Sequence, residues 1–303
     1  MEQKPINHGL KITWRTKLKK RDPRNFSRKK RFGAIDVSQI PDFDLVPDAP
    51  IKNQLSSFLC TAFANSTISG FQEGVELSPE YAYQKSNALL GVKHSIGVDY
   101  FIALKEHVKF GCLEASQSPY TIAKDGQYVA ENPDNWDIAL DVPAAIHKKQ
   151  SYFQCDQGDD LFDSVLIALW QSYQAYQATK NISDLKAVSI AFYWFPEFTF
   201  ASQGIVPESD TWNKKLASGH NVVVRGKKTI NGIPYLIVQN SYGEGMGDKG
   251  LYYFPRKTLN TCGFAAATFD DLNPEETKKN QWGYMAQLLD MLSNLLRELL
   301  GKV

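Results

Sequence analysis

Four side chains of complementary chemistry occur in the chain order Gln54, Cys60, His220, Asn240. Cys60 stands in KNQLSSFLCTAF, where small and apolar residues begin to suit a buried helix. A thiol at a helix start meets unpaired N–H groups and the positive end of the dipole, so its pKa is expected to fall. An imidazole, here His220 in SGHNVVV, can hold the thiol proton. A third polar side chain, Asn240 in QNSYGEGMGDKGLYYF, can fix the imidazole's tautomer and orientation. Gln54, six residues before Cys60, can donate its side-chain amide to an oxyanion. Together these types suit acyl transfer through a sulfur nucleophile.

The elements that must position them read as follows. Ser57 to Gly70 suits a buried helix starting near Cys60. Ser78 to Leu90 has Ser78 as N-cap, Pro79 first and Glu80 in the first turn. Further helices are expected over Val98 to Phe110, stopping at Gly111, and over Asp160 to Ala178. Then the pattern changes: Ala187 to Phe195, His220 to Gly226, Pro234 to Gln239 and Leu251 to Pro255 read as strands, with Asn231-Gly232 as a hairpin turn. The aromatic run Phe192 to Phe200 reads as core. Gly243, Gly245, Gly247 and Gly250 lack the Lys-Ser/Thr ending of a phosphate loop and read as tight turns. A helical half followed by an antiparallel half implies an α+β chain with a cleft between two lobes.

The whole has 303 residues, 43% of them hydrophobic, which excludes a wholly disordered chain and a disulfide-dense mini-scaffold. No apolar run approaches the roughly 18 residues a membrane span needs, and no signal-peptide layout opens the chain. The net charge of +1 conceals an asymmetry: Lys11 to Arg31 carries +10 and the remainder −9. Residues 1–35 thus form a basic arm, for which a polyanion or the acidic body itself is a fitting partner. Cys60, Cys112, Cys155 and Cys262 show no CxxC spacing and no metal-ligand pattern with His, so no metal is expected and a reducing, cytoplasmic compartment is. Residues 273–303 read as a polar linker and a C-terminal amphipathic helix. In it Met285, Leu289, Leu292, Leu296 and Leu299 recur at coiled-coil spacing, a surface for self-docking, an oligomer or a larger assembly.

On these motifs the chain resembles the papain-like cysteine peptidases. KNQLSSFLCTAF resembles their nucleophile motif, GHNVVVRG their histidine motif and NSYGEGMGDKGLYYF their asparagine motif. ELSPEYAYQ and GVDYFIALKEHVKFGCLEASQSPY resemble prokaryotic members, and the likeness spans roughly Asp36 to Asp271. It implies a papain-like two-lobed fold over residues 36–272, a helical lobe bearing Cys60 and an antiparallel β-barrel-like lobe bearing His220 and Asn240. It also implies an endopeptidase acting on polypeptides through a Cys–His thiolate–imidazolium pair and an acyl-enzyme, without cofactor. Cys60 would be the nucleophile, His220 the base and acid, Asn240 its orienter, and Gln54 with the Cys60 N–H the oxyanion hole. Phe58, Leu59, Gly97, Gly219, Asn221 and Tyr242 fall at substrate-contact positions. Several residues depart from the family pattern: Thr61 follows the nucleophile, Tyr242 stands for a usual Trp, bulky Phe58 and Leu59 replace small residues, and Ser57 replaces a disulfide cysteine. Those departures keep open a structural or assembly protein reusing the fold, and a transamidase of the same mechanism.

Overall fold

The computed structural model describes residues 35–55, 57–92, 97–118, 138–155 and 160–271, with Ser293 and Arg297. The basic arm and the C-terminal linker and helix expected from sequence lie almost wholly outside these residues.

Helix α1 (Cys60–Glu73) is the axis of the molecule. Its residues are small and nearly all buried, because it serves two cores at once. Cys60, Ala64 and Ile68, four apart, join the sheet's core with Ile190, Val222 and Phe192. Ala62 and Phe63 face the other way, toward Leu77, Tyr81, Ala103 and Leu113. The helix stops at Gly74, whose φ of +69° suits glycine and whose N–H donates to the Gly70 carbonyl at 2.9 Å.

Helices α2 (Pro79–Leu90) and α3 (Tyr100–Lys109) complete the helical lobe. The Ser78 hydroxyl accepts the Tyr81 N–H at 3.1 Å, as the N-cap pattern requires. Asp99 caps α3 by accepting the N–H groups of Phe101 and Ile102. Helix α4 (Leu161–Thr179) starts at Asp160, which accepts the Asp163 N–H at 3.0 Å.

The β lobe is one antiparallel sheet. Its strands are β1 (Phe43–Asp44), β2 (Lys149–Gln154), β3 (Val188–Trp194), β4 (Ser218–Ile230), β5 (Ile233–Gln239), β6 (Leu251–Pro255) and β7 (Gly263–Asp271). The order is β2-β7-β3-β4-β5-β6, with β1 paired on β4. The hairpin between β4 and β5 turns at Asn231 and Gly232, both with positive φ. Strand β4 is longer than expected because the hairpin continues through polar Lys228 and Thr229. Three strands and helix α5 (Arg256–Cys262) have no counterpart in the sequence reading. Strand β7 (GFAAATFDD) is alanine-rich, yet it sits between β2 and β3 where small side chains let helices pack close. The helical half therefore also donates β2 to the sheet.

The two halves are sewn together by α1. Gln72 Nε2 donates to the Phe269 carbonyl at 2.9 Å, and Lys149 on β2 meets Glu73 at 2.6 Å. Among the described residues no helix is long and apolar enough to cross a membrane.

Candidate active site

Cys60 is the first residue of α1, fully buried, with Leu59 at the N-cap position and no side chain capping the helix. His220 enters from β4 and is also fully buried. Asn240 follows the last residue of β5. The pairing of Val223 with Gln239 brings Asn240 to the same end of the sheet as His220. There His220 Nε2 and Asn240 Oδ1 lie 2.7 Å apart. That oxygen also accepts the Ser241 N–H at 2.7 Å, which fixes the amide so that its oxygen faces the ring. With Oδ1 as acceptor, Nε2 carries the proton, and Nδ1 is the nitrogen left to exchange one with a thiol.

Rings wall this pair off from water. Tyr242 stacks on the imidazole at 4.9 Å and 21°, and Trp194 meets it edge-on at 4.8 Å and 73°. Trp194 is itself held by its indole N–H, which donates to Thr199 Oγ1 at 2.8 Å. A hydrogen bond in such dry surroundings is stronger than one in water. Trp194 therefore belongs both to the core and to the site. The sequence reading placed its aromatic run in the core alone, and the signal that would have found it is pairing of its strand with the histidine strand. Asn240→Ala is expected to lower kcat/KM about 100-fold, the order of loss for a reactive group misplaced by an ångström. Tm would change little, and kinetics on a peptide substrate beside a thermal melt checks both.

The thiol departs from expectation. Burial pushes Cys60 up to about 12, although the Asn221 backbone N–H, the Thr61 hydroxyl and the helix-start N–H groups pull the other way. The helix-start effect was expected to lower it. It is outweighed because a fully desolvated sulfur loses its hydration entirely. The Asn221 contact also locates the sulfur against the backbone of the residue that follows His220.

Gln54 is buried at the start of the nucleophile loop. Its Oε1 accepts from Ser241 Oγ at 2.5 Å and its Nε2 donates to the Ser57 carbonyl at 2.9 Å. Its backbone N–H donates to the Ser241 carbonyl at 2.8 Å. Ser241, overlooked in the sequence, thus ties the asparagine motif to the glutamine. Cys60, His220, Asn240, Gln54, Asn221 and Tyr242 form one connected set.

The remaining expected contacts separate. Phe58 is exposed. Leu59 is 1% exposed and packs with Phe63, Leu77 and Tyr81, so it is a core side chain rather than one that lines a groove. Asn221 turns its side chain inward to Ser189, whose hydroxyl donates to it at 3.1 Å, and offers the site only its backbone. Gly219 is buried opposite Tyr193, and Gly97 is buried with φ +74° ahead of α3. Gly243, Gly247 and Gly250 all have positive φ, as tight turns require. All four cysteines are buried. Among the described residues no group of His, Cys, Asp and Glu is arranged to hold a metal ion. A cavity of about 430 Å³ opens behind α1, lined by Pro47, Phe71, Val75 and Leu185 among others, and none of the four chemistry-bearing residues lines it.

A helical lobe and a β lobe thus meet around Cys60, His220 and Asn240, and the comparisons give the fold and the family. The sequence profile described as "Papain family cysteine protease" matches residues 72–270, which include His220 and Asn240 and begin after Cys60. The chain belongs to the papain family of cysteine proteases. It is 29% identical over 170 residues to cathepsin B-like cysteine proteinase 4 of Caenorhabditis elegans, covering 52% of this chain and 45% of that protein. It is 32% identical over 81 residues to the thiol protease aleurain of Arabidopsis thaliana, covering 27% and 22%. The matches thus span less than half the length of these relatives. In fold it is similar to xylellain, a cysteine protease from Xylella fastidiosa, with a TM-score of 0.66 at 16% identity over 90% of this chain and 99% of that one. It is also similar to digestive procathepsin L 3 of Tenebrio molitor, with a TM-score of 0.56 at 22% identity over 82% and 76%.

Proposed function

We propose that the chain is a cysteine endopeptidase that hydrolyses polypeptides through an acyl-enzyme. The observation that carries this is the 2.7 Å bond from His220 to Asn240 in a family member whose Cys60 sulfur lies against the next residue, Asn221. Cys60 Sγ attacks the carbonyl carbon while its proton passes to His220 Nδ1. The developing oxyanion takes the Cys60 N–H and the Gln54 amide. His220 then protonates the leaving amine, and water releases the acyl group by the reverse route.

A thiol at about 12 sets the pH dependence. Below that value the protonated form dominates, so an isolated thiol gains thiolate about tenfold per pH unit. Alkylation of Cys60 in His220→Ala is expected to climb that way without a plateau. In the native chain proton transfer to His220 lifts the neutral-pH rate above that line. Iodoacetamide labelling followed at the Cys60 peptide by mass spectrometry checks this, and superimposable profiles would sink the pair.

A second reading, a scaffold for assembly without proteolysis, is favoured by the complete burial of Cys60. A peptide-library cleavage assay with Cys60→Ala as control decides between them. In the same proposal, Lys11 to Arg31 contacts a polyanion, the leucine face of residues 282–300 joins an oligomer or larger assembly, and four cysteines spread widely along the chain suit a reducing compartment such as the cytoplasm.

A further inference from the structure

The cavity of about 430 Å³ lies at the end of α1 remote from Cys60. One wall is the strap that leads into Gln54, with Pro47 and Ala49, and the other is the end of α1 and the turn beyond it, with Phe71 and Val75. A volume of this size is that of a binding pocket. Lys52, a cation at its edge, is already answered: its Nζ donates to the Leu77 carbonyl at 2.9 Å and lies 3.5 Å from Glu76. The cavity therefore suits an apolar occupant better than an anion. Its apolar surface continues outside. Ile182, 43% exposed, lies against Gly74, where an added β-carbon would come within 2.9 Å of the isoleucine Cδ1. An apolar rim on an apolar cavity marks a surface that something covers.

Strand β7 ends beside this surface. The Phe269 carbonyl accepts from Gln72, the neighbour of the lining Phe71, at 2.9 Å. Lys186, the neighbour of the lining Leu185, meets Asp270 at 2.8 Å. Asp271, the last residue of β7, is thus close to both Phe71 and Leu185. Beyond it the sequence is polar over residues 273–281, and then Met285, Leu289, Leu292, Leu296 and Leu299 recur at helical spacing. Ser293 and Arg297, the two described residues of that stretch, are helical, and Arg297, off the leucine line, is exposed. Residues 272–284 can span at most about 45 Å, ample for a return to the cavity. A tethered segment also meets its site at a roughly millimolar effective concentration, which a free ligand would have to exceed.

We propose that the cavity behind α1 is the seat of the chain's own leucine face, residues 282–300, which covers Phe71, Leu185 and Ile182 and braces the strap onto α1. This stands apart from the peptidase reading and goes beyond the association given above for that face. The same contacts made between two copies join them, so an oligomer is the exchanged form of one docking. The test places photoreactive benzoylphenylalanine at position 182 of the full chain, in a mixture of light and heavy isotope-labelled copies. Irradiation is expected to link it to peptides within 282–300. Light-to-heavy links to those peptides support the seat and the oligomer together, and links only within a copy support the seat and overturn the oligomer. In Leu292→Asp/Leu296→Asp the links disappear. Hydrogen exchange over residues 45–52 and 66–77 then quickens about tenfold, as expected when a covering element is lost, while the β4–β5 hairpin is unchanged. Leu292→Met/Leu296→Met keeps the native links and rates. An absence of links to 282–300 in the native sequence, exchange unchanged in the aspartate variant, or a rise shared equally by the hairpin overturns the proposal.

Discussion

Cys60→Ala is expected to lower kcat/KM at least about ten-thousand-fold, the scale seen when a nucleophile is removed from a site whose members act as a unit. No neighbour can replace it. Thr61, whose hydroxyl lies 3.9 Å from the sulfur, is the next residue of the helix and a far weaker nucleophile at neutral pH. His220→Ala should cost nearly as much, and the double variant little more than either, because a base without its nucleophile has nothing to activate. Tm is expected to stay close to native in Cys60→Ala, since the change removes one atom at the first position of α1. A cleavage assay and a thermal melt on one preparation separate the two effects. Activity retained within tenfold would mean that the scaffold, not the thiol, is what this chain has kept.

What the sequence made legible follows from local chemistry. Ser78-Pro79 announces its helix through a cap whose partner lies three residues away, and the helices over Val98 to Phe110 and Asp160 to Ala178 were expected without their caps, Asp99 and Asp160, being read. Asn231-Gly232 announces its hairpin in the same manner. The elements that escaped, β1, β2, β7 and α5, draw their identity from distant partners. The alanines of β7 are favoured there by crowding between β2 and β3, not by strand propensity. The site divides likewise. Cys60, His220, Asn240 and Gln54 could be read from motifs in chain order. Ser241 bonding to Gln54 across 187 positions, and Trp194 standing over the imidazole, needed the fold. The thiol's direction was misread because the helix start is local and visible, whereas burial is a property of the assembled lobes.

Arg225→Ala is expected to destabilise the fold by about 3–5 kcal/mol, the usual cost of removing one partner from a buried charged network. Arg225 is 2% exposed and has no single role that a neighbour could assume. Its Nε and Nη2 both donate to Asp44 Oδ2, at 3.1 and 2.9 Å, Nη1 donates to Gln239 Oε1 at 2.7 Å, and Nη2 also reaches the Pro47 carbonyl at 3.1 Å. Removing it leaves an aspartate, an amide oxygen and a carbonyl to find other donors. At about 2–4 °C per kcal/mol for a domain near this size, Tm should fall by about 6–20 °C. Arg225→Lys should rescue little, because an ammonium cannot span the fork. The consequence for the site is directional. Gln239 Nε2 donates to the Pro50 carbonyl at 3.0 Å, so Arg225 and Gln239 together clamp the segment from Asp44 to Pro50 onto β4 and β5. That segment runs directly into Asn53, Gln54 and Leu55, while Asn240 follows Gln239 on the other side. Loosening the clamp lets the two ends of the site drift apart although no residue of the Cys–His–Asn set is touched. At a temperature well below the lowered Tm, kcat should therefore fall while the His220 contribution to the pH profile of Cys60 alkylation persists. A variant that melts as the native chain does, with kcat intact, would show that the pairing of β1 on β4 holds this segment without the Arg225 clamp.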